Sequence, residues 1–199
     1  NRFVWNKPRE DFYLSVCRLV PNKRVDLLVR AFNRLRLPLI VVGDGVEKEY
    51  LKDLAGPTVQ ILGFQSTHKI ETLMSECRAF VYAGIEDFGI APVEAMASGA
   101  PVIALAKGGV LDTVKGFKSN AKEVATGLLF SDQTVKSLVE AVEFFNERQL
   151  WRDLNPELIR DWANSFSQDS FKFKFEKTIN RAWSEHIKSC DIATSDLMS

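Results

Sequence analysis

Net charge, paired cysteines and long apolar runs are all scarce in this chain of 199 residues. Its 26 Lys and Arg balance its 26 Asp and Glu, so with both histidines neutral the formal charge is zero. That excludes recognition of nucleic acid by bulk charge. The three cysteines, Cys17, Cys77 and Cys190, are odd in number, form no CxxC pair and have no zinc-site spacing. Cys17 ends an apolar run and Cys77 lies four residues after Leu73, so both read as small core residues in a reducing, cytoplasmic setting. No apolar stretch approaches the roughly 18 residues that a spanning helix requires. The opening Asn1-Arg-Phe-Val-Trp-Asn-Lys-Pro8 is not a signal peptide either, and the chain reads as part of a longer protein.

Core-forming residues are plentiful: 46% of the chain is hydrophobic, with 14 Phe, 4 Trp and 3 Tyr. Such a composition is that of a globular protein, and the length suits one large domain. Short apolar runs alternate with segments of helical period, the pattern of β-α-β units around a parallel sheet. Strands are expected at Tyr13 to Cys17, Leu39 to Val42, Val59 to Leu62, Ala79 to Tyr82, Pro101 to Ala104 and Leu128 to Phe130. Val25, Leu28, Val29, Phe32 and Leu35 paint one face of a helix from about residue 22 to 36, with Asn22 as its N-cap. The period returns at Ile70, Leu73, Met74 and Cys77, in a helix that Ser66 or Thr67 would cap, and again from Val135 to Phe145. After residue 150 come aromatic-rich helices, one of them opened by Pro156. Phe171, Phe175, Ile179 and Trp183 offer more apolar surface than one contact face needs, and Ser189 to Ser199 read as a frayed polar tail.

In open parallel sheets the carboxyl ends of the strands face the ligand crevice. Two loops there carry candidate chemistry. Arg18 ends the first strand and Lys23 starts the following helix, within a segment holding nine basic and three acidic residues up to position 36. A cation at a helix N-terminus opposes the dipole, which makes Lys23 a poor helix stabiliser and a good partner for a bound anion. The second loop is Glu86-Asp-Phe-Gly-Ile90, leading into a helix that contains Glu94. Gly89 permits close backbone approach, and the amides near Ile90 can hold an anion. Glu86 and Glu94 can face one crevice from different depths and accept hydrogen bonds from sugar hydroxyls, although Glu94 would equally complement the helix dipole.

Together the run Arg18-Leu-Val-Pro-Asn-Lys23, the Gly43-Asp-Gly45 turn, Ile61-Leu-Gly-Phe64, Glu86-Asp-Phe-Gly-Ile90 with Glu94 to Ile103, Gly108-Gly109 and Thr126 to Phe130 resemble the C-terminal half of glycosyltransferase family 4, the group 1 glycosyltransferases. The resemblance spans residues 13 to 187 and its branch is mannosyltransferase-like. It implies an α/β fold, a Rossmann-like parallel sheet flanked by helices, forming the donor half of a GT-B enzyme over residues 1–188 with a tail at 189–199. It also implies roles. Arg18 and Lys23 neutralise the donor diphosphate, Glu94 accepts from the ribose, Glu86 with Phe88, Gly89 and Ile90 holds the transferred sugar, and Phe64 and Gln65 lie near the base. Arg18, Lys23 and Glu86 would be the catalytic set. The implied chemistry is retaining hexosyl transfer from GDP-mannose or UDP-glucose, without cofactor or metal, to a glycan or lipid-linked acceptor held by a separate N-terminal domain. The implied location is the cytoplasm or the inner membrane face, with peripheral membrane contact of the full enzyme left open.

Two departures stand out. Asp112 occupies the place of the family's Gly-Gly-x-x-Glu acid, and Tyr82-Ala-Gly-Ile85 precedes Glu86 where relatives commonly carry a proline and a serine. Neither His68 nor His186 lies in a family motif, and both read as surface residues. An epimerase of the same fold and a non-catalytic nucleotide-sugar-binding subunit are the alternatives.

Overall fold

The computed structural model describes residues 2–118 and 124–196, with side chains as far as residue 187. The chain divides into two compact units, Asn1–Ala163 and Asn164–Ser199.

The first unit follows the expected alternation: β1 (Tyr13–Val16), α1 (Val25–Leu35), β2 (Leu39–Val42), α2 (Lys48–Leu54), β3 (Val59–Gly63), α3 (Thr67–Glu76), β4 (Ala79–Tyr82), α4 (Ile90–Ala97), β5 (Val102–Leu105), α5 (Val110–Thr113), β6 (Gly127–Phe130), α6 (Val135–Glu147), α7 (Leu150–Asp153) and α8 (Pro156–Asn164). All six strands are parallel, in the order β3-β2-β1-β4-β5-β6, with Tyr13 level with Leu39 and with Ala79. The direction of the sheet's build reverses between β1 and β4, which makes that seam the topological switch point of a doubly wound sheet. Every residue of β4 and β5 is buried. This is why their sequences read as unbroken apolar runs and not as alternating ones: helices cover both faces.

The helices dock by the faces the sequence marks. Val25, Leu28, Val29 and Phe32 of α1 are all buried, and each contributes roughly 1.5–3 kcal/mol through its apolar surface. Phe32 meets the Tyr13 ring at 5.0 Å between centroids, while the Tyr13 hydroxyl donates to Asn146 Oδ1 at 2.7 Å. Ser66 caps α3 by accepting from the Lys69 amide, and Thr134 caps α6 by accepting from Ser137. Arg9, in the segment before β1, donates to the carbonyls of Met74 and Ser75 at the end of α3 and to that of Ser98 at the end of α4.

One expectation fails at α1. Asn22 is not its N-cap, because Pro21–Lys23 form a separate 3-10 turn and Arg24, with φ 53°, redirects the chain before the helix begins at Val25. Pro21 favours the start of such a turn, and the amides of Lys23 and Arg24 close it on Val20 and Pro21. Lys23 therefore sits beside the switch point on a short turn and not on the first turn of α1.

In the second unit α9 (Gln168–Asp196) is helical through residues 189–196, where a frayed tail was expected; residues 197–199 lie outside the described residues. Phe171 and Phe175 stack on each other at 5.7 Å, and with Phe173, Ile179 and Trp183 they remain exposed. His186 lies beside Trp183.

Candidate functional site

Loops from both sides of the β1–β4 seam meet at the carboxyl edge of the sheet. Lys23 arrives on the 3-10 turn after β1, and Glu86 on the loop after β4. The Lys23 ammonium donates to Glu86 Oε1, and the Tyr82 hydroxyl, from the last residue of β4, donates to the same oxygen. The Lys23 and Glu86 side chains are only 17% and 28% exposed, so the pair is partly withdrawn from water. Burial alone would raise the Glu86 pKa; the hydrogen bonds from Lys23 and Tyr82 and the charge of Lys23 outweigh it, and the carboxyl is left more acidic than usual. Tyr82 is pushed strongly upward by burial and by the carboxylate it bonds, which keeps its proton on.

The loop carrying Glu86 is braced by the one after β5. The Gly109 amide donates to the Glu86 carbonyl at 2.7 Å, and a Cβ on Gly109 would stand 2.2 Å from the Asp87 carbonyl oxygen. No side chain fits there. Gly89 then turns the backbone at φ 83°, and α4 starts at Ile90 with Pro92 in its first turn. The first amides of this eight-residue helix face the same edge and carry the positive end of its dipole.

Two depressions flank the seam. One, of about 300 Å³, is mostly apolar and is lined by Val16, Cys17, Arg18, Asp44, Phe64 and Gln65 among others. The other, of about 390 Å³, is lined by Asn22, Lys23, Glu86, Asp87, Phe88 and Ile90 among others. Arg18 is exposed, and among the described residues its guanidinium has no ion-pair partner. Cys17 is held protonated by burial, which pushes its thiol up to about 11 despite the nearby Lys23.

Of the residues singled out from the sequence, Lys23, Glu86, Phe88, Gly89 and Ile90 thus meet around the second depression, and Arg18, Phe64 and Gln65 around the first. Glu94 stands apart from both sets: it lies in α4 and pairs with Arg2 at 3.3 Å. Asp112 and His68 are exposed. Sequence reasoning gave no site role to Asn22, which it read as a helix cap, or to Asp87, and it noted Tyr82 only as a strand end and as part of a departure from the family pattern. A signal for Tyr82 was present: a tyrosine ending a fully apolar strand needs a partner for its hydroxyl, and an acid follows four positions later. Among the described residues no cluster of His, Cys, Asp and Glu is arranged to hold a metal ion, and no helix is long and apolar enough to cross a membrane.

A doubly wound parallel sheet with charged side chains and a helix N-terminus at its switch point defines a Rossmann-like α/β protein with its candidate ligand crevice at that edge. The chain belongs to the group 1 glycosyltransferases, whose family model matches residues 1–164. It is 26% identical to the alpha-1,3/1,6-mannosyltransferase ALG2 of Candida glabrata, over 86% of this chain and 47% of that protein. To a GDP-mannose-dependent alpha-mannosyltransferase of Mycolicibacterium smegmatis it is 35% identical, over 57% of this chain and 30% of that protein. In structure it resembles sucrose-phosphate synthase from Thermosynechococcus elongatus, with a TM-score of 0.74 at 22% identity over 92% of this chain and 50% of that one. It also resembles Anabaena HepE in complex with UDP and glucose, with a TM-score of 0.69 at 22% identity over 86% and 48%. The chain spans half or less of the length of each of these relatives.

Proposed function

We propose that this chain is the donor-binding half of a retaining hexosyltransferase acting on a nucleoside diphosphate sugar, with residues 1–188 serving that role. The observation that carries the reading is the convergence of Lys23, Glu86 and the amide end of α4 at the switch point, with unpaired Arg18 on the neighbouring depression. The nucleobase takes the apolar depression beside Phe64 and Gln65. The diphosphate lies across the seam between Arg18 and Lys23. The hexose takes the second depression, where Glu86 and the backbone of Phe88, Gly89 and Ile90 meet its hydroxyls.

Departure of a nucleoside diphosphate builds negative charge on its phosphate oxygens. Two cations and a helix N-terminus, gathered on the diphosphate once the donor is bound, stabilise that charge at the moment of transfer. Glu86, kept ionised by its neighbours, accepts hydrogen bonds from sugar hydroxyls and repels a bare phosphate, so it places the sugar and not the leaving group in the second depression. A ribose role for Glu94 requires that its pairing with Arg2 be given up. The acceptor, a glycan or a lipid-linked precursor, is supplied from outside this chain. Between donors, the GDP-mannose-dependent alpha-mannosyltransferase relatives support GDP-mannose, and the HepE structure in complex with UDP-glucose supports UDP-glucose.

Calorimetric titration of the chain with GDP-mannose, UDP-glucose and the free diphosphates tests the reading. Arg18→Ala should weaken every one of these ligands by about 1.5–3 kcal/mol, the scale of one charge-assisted hydrogen bond. Unchanged affinity in that variant would remove the diphosphate from this edge of the sheet.

A further inference from the structure

Tyr82 is almost fully buried, with 1% of its surface exposed, yet its hydroxyl reaches the site. It emerges beside Gly84, where an added Cβ would stand 2.7 Å from the hydroxyl oxygen and 3.3 Å from the Lys23 Cα. The missing side chain at position 84 is thus the space through which Tyr82 reaches Glu86. From the opposite side Lys23 reaches the same Oε1 atom. The two donors differ in what a ligand does to them. Lys23 is a mobile cation that a diphosphate attracts, and once it turns to phosphate it no longer neutralises Glu86 to the same degree. Tyr82 is neutral, fixed by the core of the sheet and has no reason to move.

We infer that Tyr82 is a positioning residue, which holds the Glu86 carboxylate in its sugar-facing orientation while Lys23 is taken over by the donor diphosphate. The inference rests on the donor-site reading above and deepens it. The lysine serves the leaving group, the glutamate serves the sugar, and the tyrosine lets both be served at once. Without the hydroxyl, Glu86 would have to follow Lys23 toward the phosphates or lose its last strong hydrogen bond. Other groups near the carboxylate are Asp87 on the same loop and the Cys17 thiol at the end of β1, and neither supplies a positive charge.

The test compares free nucleoside diphosphate with nucleotide sugar on the full chain, by calorimetry across pH, using GDP with GDP-mannose and UDP with UDP-glucose. Tyr82→Phe should lower nucleotide-sugar affinity on the order of tenfold, the scale of one hydrogen bond to a charged group, and by clearly more than it changes diphosphate affinity. Because the tyrosine hydroxyl stabilises the ionised carboxylate, its removal raises the Glu86 pKa, so the sugar contribution should fade at a higher pH on acidification than in the wild type. Gly84→Ala, which keeps the ring and displaces the hydroxyl, should reproduce the loss. In a Glu86→Ala background, which leaves the hydroxyl no side-chain acceptor at position 86, Tyr82→Phe should change nothing further. Equal losses for diphosphate and nucleotide sugar, or an unmoved pH profile in a folded variant, would overturn the positioning role while leaving the donor site intact. A wild-type chain that binds neither ligand would overturn the donor reading and this inference with it.

Discussion

Replacing Glu86 by glutamine should make the chain bind a bare nucleoside diphosphate more tightly. Lys23 is paired with Glu86, so an incoming diphosphate has to compete for it. An exposed ion pair is worth about 0.2–1 kcal/mol, and breaking a fully buried one costs about 3–5 kcal/mol. With side chains 17% and 28% exposed, this pair belongs between, and about 1–2 kcal/mol is given up when the ammonium turns to phosphate. Glu86→Gln removes that competition and also the repulsion between carboxylate and phosphate. Affinity for GDP or UDP should rise roughly 5- to 30-fold at low salt, less as ionic strength screens the charges. Titration calorimetry at two salt concentrations measures this directly. A double-mutant cycle with Lys23→Ala then assigns the gain, which should vanish when the lysine is absent. Weaker or unchanged diphosphate binding in Glu86→Gln would refute the reasoning, because it would mean that Lys23 is not the group that the carboxylate withholds.

Other outcomes follow from the same geometry. The Glu86 pKa is depressed in the folded chain, so its pairing stabilises the fold above the ordinary carboxylate value near 4.5 and that contribution is lost as pH falls through the folded value. Denaturant unfolding should therefore show the wild type losing stability on acidification more steeply than Glu86→Gln, and parallel curves would contradict the pairing. Gly109→Ala should destabilise by about 1–3 kcal/mol and weaken sugar binding together, since the new methyl group meets the Asp87 carbonyl; a thermal melt with titration checks both. Arg9→Ala should cost about 2–3 kcal/mol in thermal unfolding, because four carbonyls at two helix ends lose the guanidinium as donor. Phe80→Ala, in the fully buried β4, should cost about 3–5 kcal/mol and leave Arg18 on its exposed edge.

Strand positions were legible in the sequence because buried parallel strands are short, β-branched and uninterrupted. Leu39–Val42 and Ala79–Tyr82 begin and end where their apolar runs do. Helices with a wide apolar face, such as α1 and α6, were legible for the same reason. Elements of four to seven residues, α2, α5 and α7, were not: they complete too few turns to show a period, and tertiary packing fixes them. At the site, residue types and loop positions pointed to Lys23 and Glu86, but their pairing was invisible. Sixty-three positions separate the two, and only the crossover from β1 to β4 brings them together. The contact of Arg2 with Glu94 was hidden likewise, since nothing local places the start of the chain against α4. The misplaced cap at Asn22 has a local cause, Pro21, whose preference for a tight turn outweighed the capping preference of the residue after it.

The seam between β1 and β4 divides the binding edge into two provinces. Everything assigned to the base hangs from β1, β2 and β3, and everything assigned to the hexose hangs from β4 and β5, with Lys23 reaching over the divide to join them. The two preferences can therefore drift apart. In the donor placement proposed above, exchanging the turns at Gly43–Gly45 and Phe64–Gln65 would retune which nucleotide is accepted without rewriting which sugar is carried, and exchanging residues 85–90 would do the reverse. A sheet wound outward from its centre is, in that placement, an adaptor with two separate sockets.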